Sequence, residues 1–243
     1  MQEHVVSHSE WLKARTQFLA KEKQLTRLRD ELARERRDLP WERVEKSYTF
    51  ANGEGKAQLQ ELFNGSSQLI VYHFMLGPGW EAGCPSCSFL ADQFDAMRPH
   101  LLARDVNLVA VSRAPWAEIA AFQGRMGWKF PWYSSYGTDF NRDFGVSFTK
   151  EEFESGKMHY NYTVQKFPNE EAPGASVFTR NTTGDVFHTY STYGRGLDMM
   201  LNAYNFIDLT PKGRDEQDLP WPMAWVRHHD KYEGAPVQTC CSH

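Results

Sequence analysis

A cysteine motif between an apolar run and a helical pattern constrains this chain more than any other feature. Residues 68–75, Gln-Leu-Ile-Val-Tyr-His-Phe-Met, are nearly all apolar or aromatic, as in a strand buried on both faces. A loop rich in Gly and Pro follows at 76–80. Cys84-Pro-Ser-Cys87 then leads into residues 88–103, whose apolar side chains recur at helical spacing. This order predicts an α/β unit with a dithiol at a helix N-terminus.

The spacing of the two cysteines determines which chemistry the motif supports. Cys84 falls where free backbone N–H groups and the positive end of the helix dipole stabilise a thiolate. Cys87 lies one turn further on, close enough to form a redox-active disulfide with Cys84. We therefore predict thiol–disulfide exchange in which Cys84 attacks and Cys87 resolves the mixed disulfide. The alternatives are two ordinary buried cysteines or half of a zinc site, although the chain has no second CxxC motif.

Four other residues are candidates for supporting this dithiol. Trp80 and Glu81 immediately precede the motif, so they belong to the same loop. Arg113 follows the C-terminal end of a second predicted strand, the edge where α/β proteins place their sites. Arg195 precedes the last predicted helix. Either arginine would stabilise a thiolate, and the plainer alternative for each is a surface ion pair.

The remaining pattern alternates between strands and helices and therefore favours an α/β fold. A buried strand at 106–111 is followed by a helix that starts at a proline, and later an alternating pair of runs around Asn181 predicts a β-hairpin. The predicted strands are 47–50, 68–75, 106–111, 175–179 and 185–190, and the predicted helices are 9–38, 56–63, 88–103, 115–126 and 196–206.

Residues 128–172 form an insertion with an unusual density of aromatic side chains. Twelve of them lie between Trp128 and Phe167, too many for a solvated loop, because each exposed ring forfeits roughly 1.5–3 kcal/mol of burial. The rings must therefore pack. We predict that part of the insertion, with Trp132 and Tyr136 as candidates, lines a pocket beside Cys84.

The N-terminal helix carries apolar side chains at a step of seven residues. Trp11, Phe18, Leu25 and Leu32 form this narrow seam, Ser9 is the expected N-cap, and Pro40 is expected to stop the helix. One interpretation is an amphipathic helix packed on its own domain. The other is an arm that pairs with a second copy of the chain, which would make the protein a homodimer.

Composition narrows the class of protein. The net charge of −4 gives no basic face for nucleic acid, and no apolar run approaches the roughly 18 residues of a membrane span. The polar start Met-Gln-Glu-His is unlike a signal peptide, so we expect a cytoplasmic protein. The 243 residues suit one embellished domain. The expected divisions are an N-terminal helical arm at 1–40, a domain at 41–210 that contains the insertion, and a C-terminal tail at 211–243.

The tail contains a second group of residues with potential chemistry. Cys240 and Cys241 adjoin His243, and the sequence His-His-Asp stands at 228–230. These side chains would suit a soft metal ion. They would equally suit a second dithiol that passes electrons to Cys84 and Cys87, or they are incidental members of an exposed tail. We predict no metal or other cofactor at the main dithiol.

Several longer strings resemble one family across almost the whole chain. They are GPGWEAGCPSCS at 77–88, VAVSRAP at 109–115, FPWYSSY at 130–136 and FHTYSTY at 187–193. These strings resemble the uncharacterised thioredoxin-like family known as domain of unknown function 899, within the broad thioredoxin and peroxiredoxin group. The resemblance implies a thioredoxin-like three-layer α/β/α sandwich. It implies no particular substrate.

The chain departs from the better-known members of that group at three positions. Gly83 stands where thioredoxins have a Trp before the first cysteine, and Pro173, the candidate counterpart of their cis-proline, stands too early in the chain for that role. Glu81 replaces the Thr or Ser that precedes the peroxidatic cysteine of peroxiredoxins. A thiol–disulfide oxidoreductase with a thiol or disulfide substrate and an external reductant is the first prediction. A thiol-dependent peroxidase and a non-catalytic binding module are the alternatives.

Overall fold

The first 41 residues contain one long helix. The computed structural model describes residues 4–233, and the chain divides into two units, Met1–Trp41 and Glu42–His243. The first unit contains α1, His8–Arg37, and none of the side chains along this helix is buried. Its N-cap is Ser7, which exchanges hydrogen bonds with Glu10 in a capping box. The prediction of Ser9 as the cap was wrong, because the Ser-x-x-Glu spacing starts at Ser7.

In the described part of the second unit, ten strands are present, and eight of them form one mixed sheet. The order across that sheet is β1-β10-β9-β4-β5-β6-β2-β3, while β7 and β8 form a separate hairpin. The strands are β1 Glu42–Arg43, β2 Thr49–Asn52, β3 Gly55–Gln58, β4 Gln68–His73, β5 Val106–Ser112, β6 Trp132–Ser134, β7 Met158–Tyr160, β8 Thr163–Gln165, β9 Gly174–Arg180 and β10 Val186–Tyr193.

The centre of the sheet has the thioredoxin-like topology. β4 and β5 are parallel, β9 is antiparallel to β4, and β10 is antiparallel to β9. β6 adds a further parallel strand beside β5. The cysteine motif follows β4, so its helix begins at the C-terminal edge of the central parallel strands. The predicted α/β class and thioredoxin-like fold are thus confirmed.

Helices cover both faces of the sheet. Besides α1, they are α2 Pro85–Ala91, α3 Phe94–Leu102, α4 Trp116–Met126, α5 Phe140–Asp143, α6 Lys150–Ser155 and α7 Asn202–Ile207, with 3-10 helices at Glu61–Phe63, Gly194–Met200 and His229–Lys231. None of the helices in the described residues is long and apolar enough to cross a membrane.

Alternation along the central strands separates two cores. Tyr72 of β4 points to the core shared with α2, α3, α4 and α7. Its neighbour Val71 points to the opposite core, with Phe63 of the first 3-10 helix and Phe140 of α5. The sheet is therefore the middle of three layers, and the cysteine motif lies in the layer with Tyr72.

The aromatic insertion is distributed over three cores. Trp128 and Phe130 join the core of the cysteine helix, and Phe140 joins the opposite one. Phe148 and Tyr160 pack in a third cluster with Val146 and Tyr193. The aromatic density therefore reflects several packing contacts made along one stretch of chain.

Three helix predictions were wrong in extent or type. Residues 56–63 form β3 and a 3-10 helix, because the turn after Asn52 pairs Lys56 and Ala57 with β2. Residues 88–103 are divided between α2 and α3. Residues 196–206 begin as a 3-10 helix, where a side chain at Gly196 would overlap Thr192.

Candidate active site

The backbone around Cys84 is fixed by the end of one strand and the start of one helix. Cys84 is the N-cap of α2, and Pro85 occupies the first helical position, where its missing N–H costs no hydrogen bond. The Cys84 N–H donates to the Met75 carbonyl at 3.0 Å, and the Cys84 carbonyl accepts from the N–H and the hydroxyl of Ser88, each at 3.0 Å. Cys84 therefore lies at the helix N-terminus, as predicted.

The Cys84 thiol is the more acidic of the pair. Its pKa is lowered to about 7, chiefly by a hydrogen bond from the Cys87 thiol and further by the backbone N–H groups of Cys87 and Ser86. Burial opposes these effects, because a charged sulfur loses hydration. Cys84 is half-buried, in contrast to the fully buried Cys87.

Cys87 lies in a different environment and stays protonated. It is 1% exposed, and burial together with the hydrogen bond and charge of Cys84 raises its pKa well above the ordinary value. The buried Tyr72 hydroxyl and the Met75 N–H donate toward the Cys87 sulfur and partly oppose that rise. A proton on Cys87 and a negative charge on Cys84 therefore stabilise one another.

Gly83 has no space for a side chain. A Cβ atom there would overlap the Phe74 ring and lie 2.7 Å from Cε1 of Phe122. These two rings fill the space that a side chain at position 83, immediately before the first cysteine, would need. The departure from thioredoxins at Gly83 thus has a packing cause.

Trp80 and Glu81 lie in the loop just before the cysteine motif and differ in burial. Trp80 is half-buried, and its indole Nε1 lies 3.0 Å from where a Gly77 Cβ would be. Glu81 is exposed. Pro173 lies immediately before β9, and none of the peptide bonds in residues 4–233 is cis. The supporting roles of Trp80 and Glu81 stay predictions.

Arg113 is bound to a buried carboxylate that the sequence did not single out. Its Nε donates to Glu171 at 2.5 Å, and the Ser147 hydroxyl donates to the other oxygen of Glu171 at 2.5 Å. Glu171 is 2% exposed and adjoins Gly77, and burial raises its pKa despite the adjacent guanidinium. Arg113 therefore reinforces the loop before Cys84, and a direct role at the thiolate stays a prediction.

The other predicted site residues lie in three different environments. Arg195 has an 80% exposed side chain and pairs with Asp198 at 2.7 Å. Trp132 is buried, donates from Nε1 to the Ser112 hydroxyl at 3.0 Å, and packs 4.5 Å from Phe74 between ring centroids. Tyr136 is 60% exposed. Trp132 thus supports a ring that closes on Gly83, while the proposed pocket lined by Trp132 and Tyr136 stays a prediction.

The segment 228–230 reaches the motif from the far end of the chain. His228 Nε2 is 2.7 Å from the Gly83 carbonyl oxygen, and Arg125 binds both carboxylate oxygens of Asp230 at 2.9 Å. The sequence suggested a chemical role for His-His-Asp but offered no target, since 145 positions separate His228 from Gly83. Cys240, Cys241 and His243 lie outside the described residues.

Two further histidines are joined by a buried hydrogen-bond chain away from the cysteines. His73 Nε2, the hydroxyls of Ser176 and Ser191, and His188 Nε2 follow one another at 2.8, 2.7 and 2.7 Å. His188 also borders an open cleft of about 890 Å³ beside α5 and β7. Within residues 4–233 there is no cluster of three or more His, Cys, Asp or Glu side chains that could hold a metal ion.

Comparison with solved structures finds several peroxiredoxins. The peroxidoxin BcpB of Mycobacterium tuberculosis matches at a TM-score of 0.45 and 13% identity, over 70% of this chain and 97% of its own. Peroxiredoxin Q of Xanthomonas campestris matches at 0.45 and 16% identity, over 68% and 96%. The mitochondrial 2-Cys peroxiredoxin of Plasmodium falciparum matches at 0.41 and 11%, over 70% and 95%.

The sequence itself matches one family. None of the curated proteins matches the chain. The family described as bacterial protein of unknown function (DUF899) matches residues 1–232, a range that ends just after the segment that contacts Gly83. The resemblance seen in the cysteine loop and the aromatic strings is thereby confirmed, and the chain belongs to the bacterial DUF899 family.

Proposed function

We propose that this protein is a thiol–disulfide oxidoreductase in which Cys84 is the nucleophile and Cys87 the resolving thiol. The observation that carries the proposal is the asymmetry of the pair. Cys84 is half-buried with a pKa lowered to about 7, whereas Cys87 is buried with a raised pKa. Near neutral pH about half of Cys84 is therefore thiolate, which is close to the optimum for an attacking thiol.

The reaction has two steps that conserve atoms and electrons. The Cys84 thiolate attacks one sulfur of a disulfide substrate, the substrate S–S bond breaks, and the leaving thiolate takes a proton from solvent. Cys87 then loses its proton and attacks the Cys84 sulfur, which forms the Cys84–Cys87 disulfide and releases the second substrate thiol. The substrate gains two electrons, and an external dithiol returns the protein to its reduced form by the reverse exchange.

The structure supports a specific role for the environment of Cys87. As a thiol it donates a hydrogen bond to Cys84 and stabilises the attacking thiolate. Burial is the largest cause of the raised Cys87 pKa, and the hydrogen bond and charge of the Cys84 thiolate add to it; once Cys84 is bound in a mixed disulfide, these added contributions are gone. The resolving thiol therefore becomes easier to deprotonate at the stage when its thiolate is needed.

The test compares the wild type with Cys84→Ser and Cys87→Ser on a small aromatic disulfide. We expect Cys84→Ser to be inactive. We expect Cys87→Ser to release one thiol and keep the other as a mixed disulfide on Cys84, detected by mass spectrometry. Trapping of the mixed disulfide in Cys84→Ser instead would contradict the roles assigned to the two cysteines.

The same experiment with a hydroperoxide in place of the disulfide distinguishes the first alternative, a thiol-dependent peroxidase, from the proposed oxidoreductase. In that chemistry the Cys84 thiolate would attack the O–O bond, forming a sulfenic acid and an alcohol or water, and Cys87 would condense with the sulfenic acid and release water. Faster oxidation by hydroperoxide than by disulfide would favour a peroxidase. A Cys84→Ser variant that catalyses neither reaction and yet replaces the wild-type protein in cells would favour a non-catalytic binding module.

A further inference from the structure

The C-terminal part of the described chain is held against the helix that starts at Cys84. Trp225 packs edge-on against Phe89 of α2 at 5.7 Å between ring centroids, and its Nε1 donates to Glu216 at 2.7 Å. His229 Nδ1 lies 2.5 Å from a carboxylate oxygen of Asp92, the C-cap of α2. We call residues 223–232 the C-terminal strap.

The contacts of His228 define which of its ring nitrogens carries the proton. Nδ1 lies 3.1 Å from Nη2 of Arg125, and a guanidinium can only donate, so Nδ1 accepts. In the neutral ring the hydrogen is then on Nε2, which donates to the Gly83 carbonyl at 2.7 Å. Arg125 is itself oriented by its two bonds to Asp230. The order Asp230, Arg125, His228, Gly83 is a continuous chain of hydrogen bonds.

This chain ends on the peptide group that positions the nucleophile. The carbonyl of the Gly83–Cys84 peptide accepts from His228, and its N–H donates to Met75. Gly83 is flexible by nature, because it lacks a Cβ and can adopt many backbone conformations. Because both polar groups of this peptide are bonded, its plane is fixed, and the Cys84 sulfur stays where the N–H groups of Ser86 and Cys87 donate to it.

We infer that His228 is a positioning residue of the dithiol site, and that the C-terminal strap sets the reactivity of Cys84 through the Gly83 carbonyl. The inference rests on the proposed function, since it takes Cys84 as the nucleophile. His228 acts through Gly83, so its effect is on the geometry of Cys84 and the hydrogen bonds its thiolate receives.

The test follows alkylation of Cys84 by iodoacetamide against pH in the full chain, with Cys87, Cys240 and Cys241 replaced by Ser in every protein so that only the Cys84 thiol reacts. His228→Gln places an amide N–H near the position of Nε2, whereas His228→Asn is too short to reach Gly83. We expect the Asn variant to react about fivefold more slowly at pH 7, the ratio expected if the thiol pKa rises by about one unit. The Gln variant should stay near the parent.

His100→Asn is the matched control, because it makes the same substitution at an exposed histidine of α3 that lies outside the C-terminal strap. It should match the parent. Equal rates for the His228→Asn variant and the parent, in proteins with the same circular dichroism, would overturn the inference, and so would equal slowing by His228→Gln, His228→Asn and the control. An inflection at or above pH 8.5 in the parent would instead contradict the proposed function.

Discussion

Replacing Gly83 with Ala tests whether close packing before Cys84 is required by this fold. The added Cβ would overlap the Phe74 ring and lie 2.7 Å from Phe122 Cε1, well inside van der Waals contact. Neither ring can move easily. Phe74 packs 4.5 Å from Trp132, and Phe122 packs 5.7 Å from Trp128, between ring centroids.

The magnitude follows from overpacking in a closed core. One extra methyl group in such a site costs about 1–3 kcal/mol of unfolding free energy, since the neighbours leave their preferred rotamers or the backbone moves. Backbone movement here would displace Cys84, so stability and reactivity should fall together. For a chain of this size the loss corresponds to a decrease of roughly 2–12 °C in melting temperature.

Gly124→Ala provides the matched control. Gly124 lies in α4, is exposed, and a Cβ there would have no heavy atom within 4 Å. Because Ala forms helix better than Gly, this variant should gain about 0.5–1 kcal/mol. Urea titration and Cys84 alkylation measure both effects. A Gly83→Ala protein as stable and as reactive as the wild type would refute the packing argument.

Three further predictions concern other parts of the molecule. Tyr72→Phe removes the hydroxyl that donates to Cys87, so release of the second thiol in single-turnover experiments should slow by about two- to tenfold, the equivalent of one hydrogen bond. The Phe18 and Leu25 side chains of α1 are both more than half exposed. If two α1 helices pair in a dimer, the double variant Phe18→Glu, Leu25→Lys should halve the mass measured by light scattering. Unchanged mass would exclude that dimer. Burial raises the Glu171 pKa, so the folded wild type holds this proton more tightly than the unfolded chain. The urea midpoint of the wild type, compared with that of the Glu171→Gln variant, should therefore fall as the pH rises from about 4.5 through the folded-state pKa.

Local sequence patterns predicted the correct strand or helix where neighbours in sequence are also neighbours in space. The run at 68–75 is apolar enough to require burial, and the Cys84-Pro85 pair starts a helix by the chemistry of its first turn. By contrast, residues 56–63 combined weak helical signals with a turn that favours a hairpin. Pairing with β2 makes Lys56 and Ala57 part of a strand, and helical periodicity within residues 56–63 carries no information on that pairing.

The contacts that tune the two cysteines come from distant parts of the chain. β4 is apolar on both faces, so its pattern cannot tell which side Tyr72 takes, and only the packed sheet brings Tyr72 to Cys87. Glu171 meets Arg113 across 58 positions, and His228 meets Gly83 across 145. Such pairs depend on tertiary packing, which residue spacing does not encode.

The linkage between the two thiols determines which variant is the correct trap. Cys84 is acidic first of all because Cys87 donates a hydrogen bond to it, so loss of the first proton near neutral pH leaves the pair with one proton and one negative charge. Cys87→Ala removes the donor and should therefore raise the pKa of Cys84. Cys87→Ser keeps a hydroxyl donor at nearly the same place. A weak nucleophile in the Ala variant would thus reflect a missing hydrogen bond, and only the Ser variant separates loss of resolution from loss of activation.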